Sequence, residues 1–312
     1  MPPSPTATVL DAAFEADGFG TLVLDVPEAH LHLQPHDEAD RVQVHGTVPG
    51  ADPDAARCLF DRKGIATHQS GDRLRVSGER LSDGVPDWHW RWGHPTALHL
   101  TVHLPPDLDV TARAPGGEVE ASDLGGNVDL TVPGGSVHAT GLTGAVNVRG
   151  GGGTLTVQDA DGGRTALRWA AGPVVLERLH ATTVTLHSHS GPTTAQDLDG
   201  PTDLCVQGAP LALRHVTGPC DAEVRGGSLT YRGAPENPTT LRSVGGPLQA
   251  YLPPDQPAAF SFAGTQVRLD DDFAFKGERT PHHVEGRLNG GGPSFEGRAV
   301  QGAARCRVLS RA

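Results

Sequence analysis

The residues of this 312-residue chain best able to do chemistry are its histidines and aspartates. His187-Ser188-His189 would place two imidazoles on one side of a strand, half of a tetrahedral zinc shell. A shell completed by neighbouring repeats would need ligands one period away. Those positions hold Arg168 and Val206 for His187, and Ala170 and Gly208 for His189, so no shell closes. His282-His283 and His36-Asp37-Glu38 read as polar loops. Asp197, Asp199 and Asp203 have the types needed for paired-carboxylate acid/base work on a polysaccharide. Their turns are too short to wall a groove, and the column Asp123, Gly141, Asp159, Arg178, Asp197, His215 reads as a solvated face of mixed charge. Asp270-Asp271-Asp272 lacks the loop pattern of a calcium-binding hand, and no Gly-Gly pair is followed by the Lys-Ser/Thr of a phosphate loop. No metal, no cofactor and no enzymatic activity are expected.

Trp88-His89-Trp90-Arg91-Trp92 is the other chemically distinct cluster. At a period of two, Trp88, Trp90 and Trp92 share one face, suited to a sugar ring or a partner's side chains. The same three indoles would serve to plug the open end of a stacked β fold. They are the candidate ligand or partner surface.

Elements able to position such groups are set by a repeat. A turn rich in glycine recurs every 18 or 19 residues, from Gly116-Gly117 through Gly134-Gly135, Gly152-Gly153, Ala171-Gly172, Ser190-Gly191, Gly208-Ala209 and Gly226-Gly227 to Gly245-Gly246. Apolar columns keep the same step, among them Val119, Val137, Leu155, Leu211 and Leu229, and Leu124, Leu142 and Leu198. A short fixed period with turn and core in phase predicts an all-β, single-chain parallel β-solenoid of about eight rungs. Val119, Leu124, Leu130 and Val137 are unequally spaced, which argues against the three equal sides of a left-handed hexapeptide acyltransferase. A right-handed coil follows from the usual bias of parallel connections.

Three regions separate by texture. Residues 1–115 read as irregular β structure capping the solenoid, 116–252 as the rungs, and 253–312 as a C-terminal cap. Aromatic residues gather in the flanks, where bulky side chains would cover unpaired strand edges. One helix is predicted from Pro53 to Lys63, with Asp52 as N-cap and Gly64 just past its end. Alternating runs predict strands at Gly20–Val26, Ala29–Leu33, Arg41–Val48, Arg73–Ser77 and Ala97–Leu104; in the last, His99, Thr101 and His103 share the polar face.

Net charge is −12 and no Lys/Arg run exceeds two residues, so nucleic acid and anionic membrane surfaces are poor partners. No stretch approaches the roughly 18 apolar residues of a membrane span, and no signal peptide is visible at Met1-Pro-Pro-Ser-Pro. Cys58, Cys205, Cys220 and Cys306 lack paired spacing, as expected of free thiols in a reducing compartment. The chain reads as cytoplasmic.

The order of elements resembles the bacterial putative-adhesin family known as domain of unknown function 4097. The likeness runs from Arg41-Val-Gln-Val-His-Gly-Thr and Asp72-Arg-Leu-Arg-Val-Ser through Ala97-Leu-His-Leu-Thr-Val-His-Leu-Pro-Pro and the rungs from Gly116, to Gly286-Arg-Leu-Asn-Gly-Gly-Gly-Pro293. It implies a parallel β-solenoid and carries over no catalytic residue. The expected role is a non-enzymatic scaffold that binds an unidentified protein partner or forms a lateral homodimer. An exported surface adhesin and a carbohydrate-active β-helix enzyme are the alternatives.

Overall fold

The computed structural model describes residues 6–16, 20–36, 40–79 and 98–309. These form strands throughout, apart from one helix. That helix, Pro53–Arg62, starts where Asp52 accepts hydrogen bonds from the backbone N–H groups of Asp54 and Ala55 at 3.1 and 2.9 Å. The chain divides into two compact units, Met1–Gly153 and Thr154–Ala312.

Each unit is built mainly from parallel strands in two sheets, with inward residues alternating against outward ones; in the first unit Thr6–Glu15 with Arg41–Pro49, Arg41–Pro49 with Leu98–Leu104, and Ala66–Ser70 with Arg73–Ser77 pair antiparallel. In the first unit one sheet runs Thr6–Glu15, Arg41–Pro49, Leu98–Leu104, Ala29–Pro35, Glu118–Ser122 and then residues 137–140. The other runs Ala66–Ser70, Arg73–Ser77, Thr21–Asp25, Asp109–Arg113 and residues 128–131. In the second unit residues 155–161 begin a ladder through Val174–His180, Thr193–Asp199, Leu211–Val216, Leu229–Arg232 and Leu248–Leu252. Its companion ladder takes Arg164–Trp169, Thr183–His189, Thr202–Gln207, Cys220–Arg225 and Thr239–Val244. Partners in these ladders lie 18 or 19 residues apart, as the repeat requires.

The expected core is in place: Val119, Leu124, Val137, Leu142, Leu155, Leu198, Leu211 and Leu229 are all buried. Their unequal spacing has a local cause. Asp123, Asp159, Arg178, Asp197 and His215 have φ between 50° and 55°, and Gly141 has φ 68°. One left-handed residue per rung lets the strand bend and restarts the inward phase, so Leu124 follows Val119 by five positions. The ladder skips this column: Gln158 pairs with Glu177 and Ala160 with Leu179, leaving Asp159 and Arg178 out of register. The column expected to be a plain solvated face is thus first a backbone corner. The second glycine of the turn has a different cause. A Cβ on Gly135 would overlap the carbonyl oxygen of Gly117 on the adjacent rung, so no larger residue fits there.

Both ends depart from sequence order. In the first unit Ala29–Pro35 lies between Leu98–Leu104 and Glu118–Ser122, and Glu28-Ala29 takes the corner position beside Gly116-Gly117. In the second, Ser294–Val300 lies between Thr239–Val244 and Ala258–Ala263, with Ala303–Val308 between Leu248–Leu252 and Gln266–Leu269. There Gln301-Gly302 supplies the corner over Gly246, Gln301 at φ 62°. Beyond these inserted strands the pairing turns antiparallel, through His283–Leu288 and Phe275–Arg279. Phe260, Phe262 and Phe295 stack beneath them and Tyr231 tilts against Phe295, with ring centroids 4.6 to 6.2 Å apart.

Candidate functional site

Trp88, Trp90 and Trp92 lie outside the described residues. The remaining sequence candidates disperse. His187 pairs in the ladder with Arg168 and with Cys205, not Val206, because this sheet steps by 18 residues at that rung; His189 pairs with Gln207 rather than Gly208. Among the described residues no group of three or more His, Cys, Asp or Glu side chains could hold a metal ion. Asp197 and Asp199 end a strand of one sheet, whereas Asp203 belongs to the other. Asp197 is taken up by the corner column, where it meets His215 Nδ1 at 3.1 Å and accepts from Gln196 Nε2 at 3.0 Å. The Gln196 hydrogen bond, together with His215, holds its carboxyl below the usual range. Asp199 accepts from Thr217 Oγ1 at 2.9 Å. Asp270 accepts from the backbone of Val308, Asp271 pairs with Arg279, and His282 meets the carbonyl of Thr265.

What the fold does assemble is a face of imidazoles and carboxylates on the first unit. Strand alternation turns His30 and His32, His99 and His103, His45, Glu118 and Glu120, and His138 outward, while Leu31, Leu100, Val44, Val119 and Val137 between them are buried. Because Ala29–Pro35 is inserted between Leu98–Leu104 and Glu118–Ser122, these side chains fall into rows. One row is Thr47, His99, His30, Glu118; the next is Asp11, His45, Thr101, His32, Glu120, His138. Neighbours in a row are one strand apart, about 4.8 Å.

Contacts within the face are specific. The rings of His30 and His99 stack with centroids 4.6 Å apart and an interplanar angle of 24°. His30 Nδ1 lies 3.2 Å from Glu118 Oε2, and His32 Nδ1 lies 2.9 Å from Glu120 Oε2. His32 Nε2 faces Gln34 Oε1 at 3.1 Å, and the Gln34 amide donates to His103 Nε2. His36 sets its ring edge-on to His103, centroids 5.9 Å apart. Partial burial and the neighbouring His30 push the pKa of His99 below its ordinary value, against the pull of Glu118 and Glu120. A polar depression of about 470 Å³ adjoins the face, lined by Gln34, Pro35, His36, Gln43, His103, Ser122 and Asp123.

The sequence carried a partial sign of this face, the alternation that sets His99, Thr101 and His103 opposite four apolar residues. It could not show that His30 stacks on His99, since those strands pair across most of the N-terminal region.

No protein-family model matches the chain, and no curated protein matches it. Among solved structures it is similar to a putative adhesin from Parabacteroides merdae ATCC 43184, at 10% identity over 98% of this chain and 97% of that one, with a TM-score of 0.38. It is likewise similar to a putative adhesin from Parabacteroides distasonis ATCC 8503, at 10% identity over 98% of each chain and a TM-score of 0.37. A third, a putative adhesin from Bacteroides fragilis NCTC 9343, is 10% identical over 99% of each chain with a TM-score of 0.33.

Proposed function

We propose that the chain is a non-enzymatic binding scaffold, a right-handed parallel β-solenoid whose histidine face contacts a protein partner or, laterally, a second copy of itself. The observation that carries this reading is the stacked pair His30–His99 beside the pairs His30–Glu118 and His32–Glu120. Six imidazoles turn outward on one sheet of the first unit, opposite its buried apolar residues. A rigid sheet presents them in fixed positions, which lowers the ordering cost of association. Imidazoles change charge between about pH 5 and 8, so contact with a carboxylate-bearing partner strengthens as pH falls.

Four unpaired cysteines, Cys58, Cys205, Cys220 and Cys306, fit a reducing compartment and support a cytoplasmic location. Fractionation of the native host separates this location from export to the surface. The binding reading is tested by capture from that host with the wild-type chain and with a His30→Gln/His32→Gln/His99→Gln variant, at neutral and mildly acid pH. A defined partner, or a dimer in sedimentation, should be retained by the wild type and lost by the variant. Equal retention by both would reject the face. A glycan-hydrolysis screen with Asp197→Asn and Asp199→Asn controls tests the non-enzymatic part, and carboxylate-dependent turnover would reject it.

A further inference from the structure

The second unit carries a surface of opposite character. In its first ladder Arg214, Arg232, Tyr251 and Arg307 follow one another on successive strands, and Gln249, Arg305 and Arg268 form the row beside them. All point outward, the buried residues on these strands being Leu213, Tyr231, Ala250, Cys306 and Val267. None of the five arginines enters an ion pair among the described residues, whereas Arg178, Arg225, Arg242 and Arg279 elsewhere in the unit each hold a carboxylate. The Arg232 guanidinium lies over the Tyr251 ring, 4.6 Å from its centroid, and the Tyr251 hydroxyl donates to Gln249 Oε1 at 2.9 Å. Asp270, the carboxylate at the end of this surface, accepts from the backbone N–H of Val308. Five unpaired guanidinium groups on one face of a chain with net charge −12 are a concentration of positive charge that solubility does not require.

We propose that this arginine–tyrosine face binds a linear polysaccharide bearing carboxylates, lying along the stack with its acid groups on the guanidinium row. Three features select that chemistry. Successive rungs advance about 4.8 Å, comparable to the length of one sugar unit, so a polyuronate offers one carboxylate per arginine. Guanidinium matches carboxylate with two parallel hydrogen bonds, and the Tyr251 ring, held in place by Arg232 and Gln249, offers a flat surface for a sugar face. Nucleic acid fits less well. Its duplex carries a charge about every 1.7 Å, its single strands need several stacking rings, and the rest of this acidic chain repels both.

The test is titration of polygalacturonate into the full chain at low ionic strength, with single-stranded DNA and polyglutamate as comparisons. Polygalacturonate should bind, weaken steeply with salt, and lose about tenfold or more in affinity in an Arg232→Gln/Arg307→Gln variant. Tyr251→Leu should weaken the polysaccharide and leave polyglutamate unchanged, which separates sugar stacking from charge alone. Arg164→Gln, on the other ladder, should change nothing. No binding at low salt, binding indifferent to the two arginines, or tighter binding of DNA or polyglutamate would overturn the proposal. So would a chain that self-associates through this face, seen as oligomers in sedimentation that Arg232→Gln/Arg307→Gln abolishes. All these variants leave the histidine face intact, so failure here leaves the binding reading of that face untouched.

Discussion

Ala304 pairs in parallel with Leu248 on one side and with Val267 on the other. The last strands of the chain therefore lie inside their unit and not at its edge. The chain first passes outward through Ala258–Ala263 and the antiparallel pair beyond it, and then returns to fill the place it left. In the ladder through Ala258–Ala263 the outermost pairing becomes antiparallel and offers no bare parallel rung as a template for another copy, whereas Gln266–Leu269 in the companion ladder pairs in parallel with Ala303–Val308. Ala29–Pro35 makes the corresponding insertion in the first unit.

Removing residues 294–312 should consequently do more harm than trimming an end. Thr239–Val244 and Ala258–Ala263 would both lose the strand that joins them. Aggregation or fibre growth is expected, seen by gel filtration and electron microscopy, and the longer deletion of 253–312 should behave likewise. A soluble, folded monomer from either truncation, or filaments from the intact protein, would refute the capping argument.

The rung corners give a graded test of backbone contact. Gly135→Ala forces a Cβ into the carbonyl of Gly117 and should cost about 3 kcal/mol or more in denaturant unfolding. Gly71→Ala, at φ +60° with open space around it, should cost only about 1 kcal/mol. Equal costs would show that conformation, not rung-to-rung contact, selects the glycine.

Phe295 is fully buried, stacks with Phe260 and Phe262, and meets the Tyr231 ring at a tilt. Phe295→Ala should lower stability by about 3–5 kcal/mol. A loss under about 1 kcal/mol would mean that the aromatic cluster does not anchor the inserted strand.

His99 gives the pH dependence its sign. Burial lowers its pKa in the folded state, so the folded protein binds that proton less tightly than the unfolded chain. Stability is then greatest above the ordinary histidine value of about 6.5 and declines as pH falls through that value toward the lower folded one. Imidazole shifts followed by NMR should show His99 titrating below that ordinary value, and His99→Gln should flatten the decline in melting temperature. Titration at or above the ordinary value would contradict the stacked, half-buried geometry.

Much of the architecture was readable from residue types. The 18–19 step set the rung partners within each unit, Val119 with Val137 in the first and Leu155 through Leu248 in the second, and Asp52 with Gly64 marked the helix Pro53–Arg62. Two things escaped for physical reasons. Left-handed corners occupied by Asp159, Arg178 or His215 look like ordinary surface residues, because these types give far weaker notice of positive φ than glycine does. The inserted end strands keep the corner geometry with Glu28-Ala29 and Gln301-Gly302, yet their ladder partners are far away in sequence, so no periodic search aligns them. The histidine face depends on that insertion, which is why half of it showed in Leu98–Leu104 and the whole did not.

Thr101 stands at the middle of that face, between His45 and His32 on the flanking strands. A photo-crosslinking residue placed at position 101 of the otherwise unaltered chain, activated in the native host, tests the binding proposal most directly. It should trap one discrete species, a single protein or a second copy of the chain, in higher yield after mild acidification, while the same residue at Thr156 in the second unit does not. No crosslink at position 101, or the same products from both positions, would contradict a partner-binding role for the histidine face.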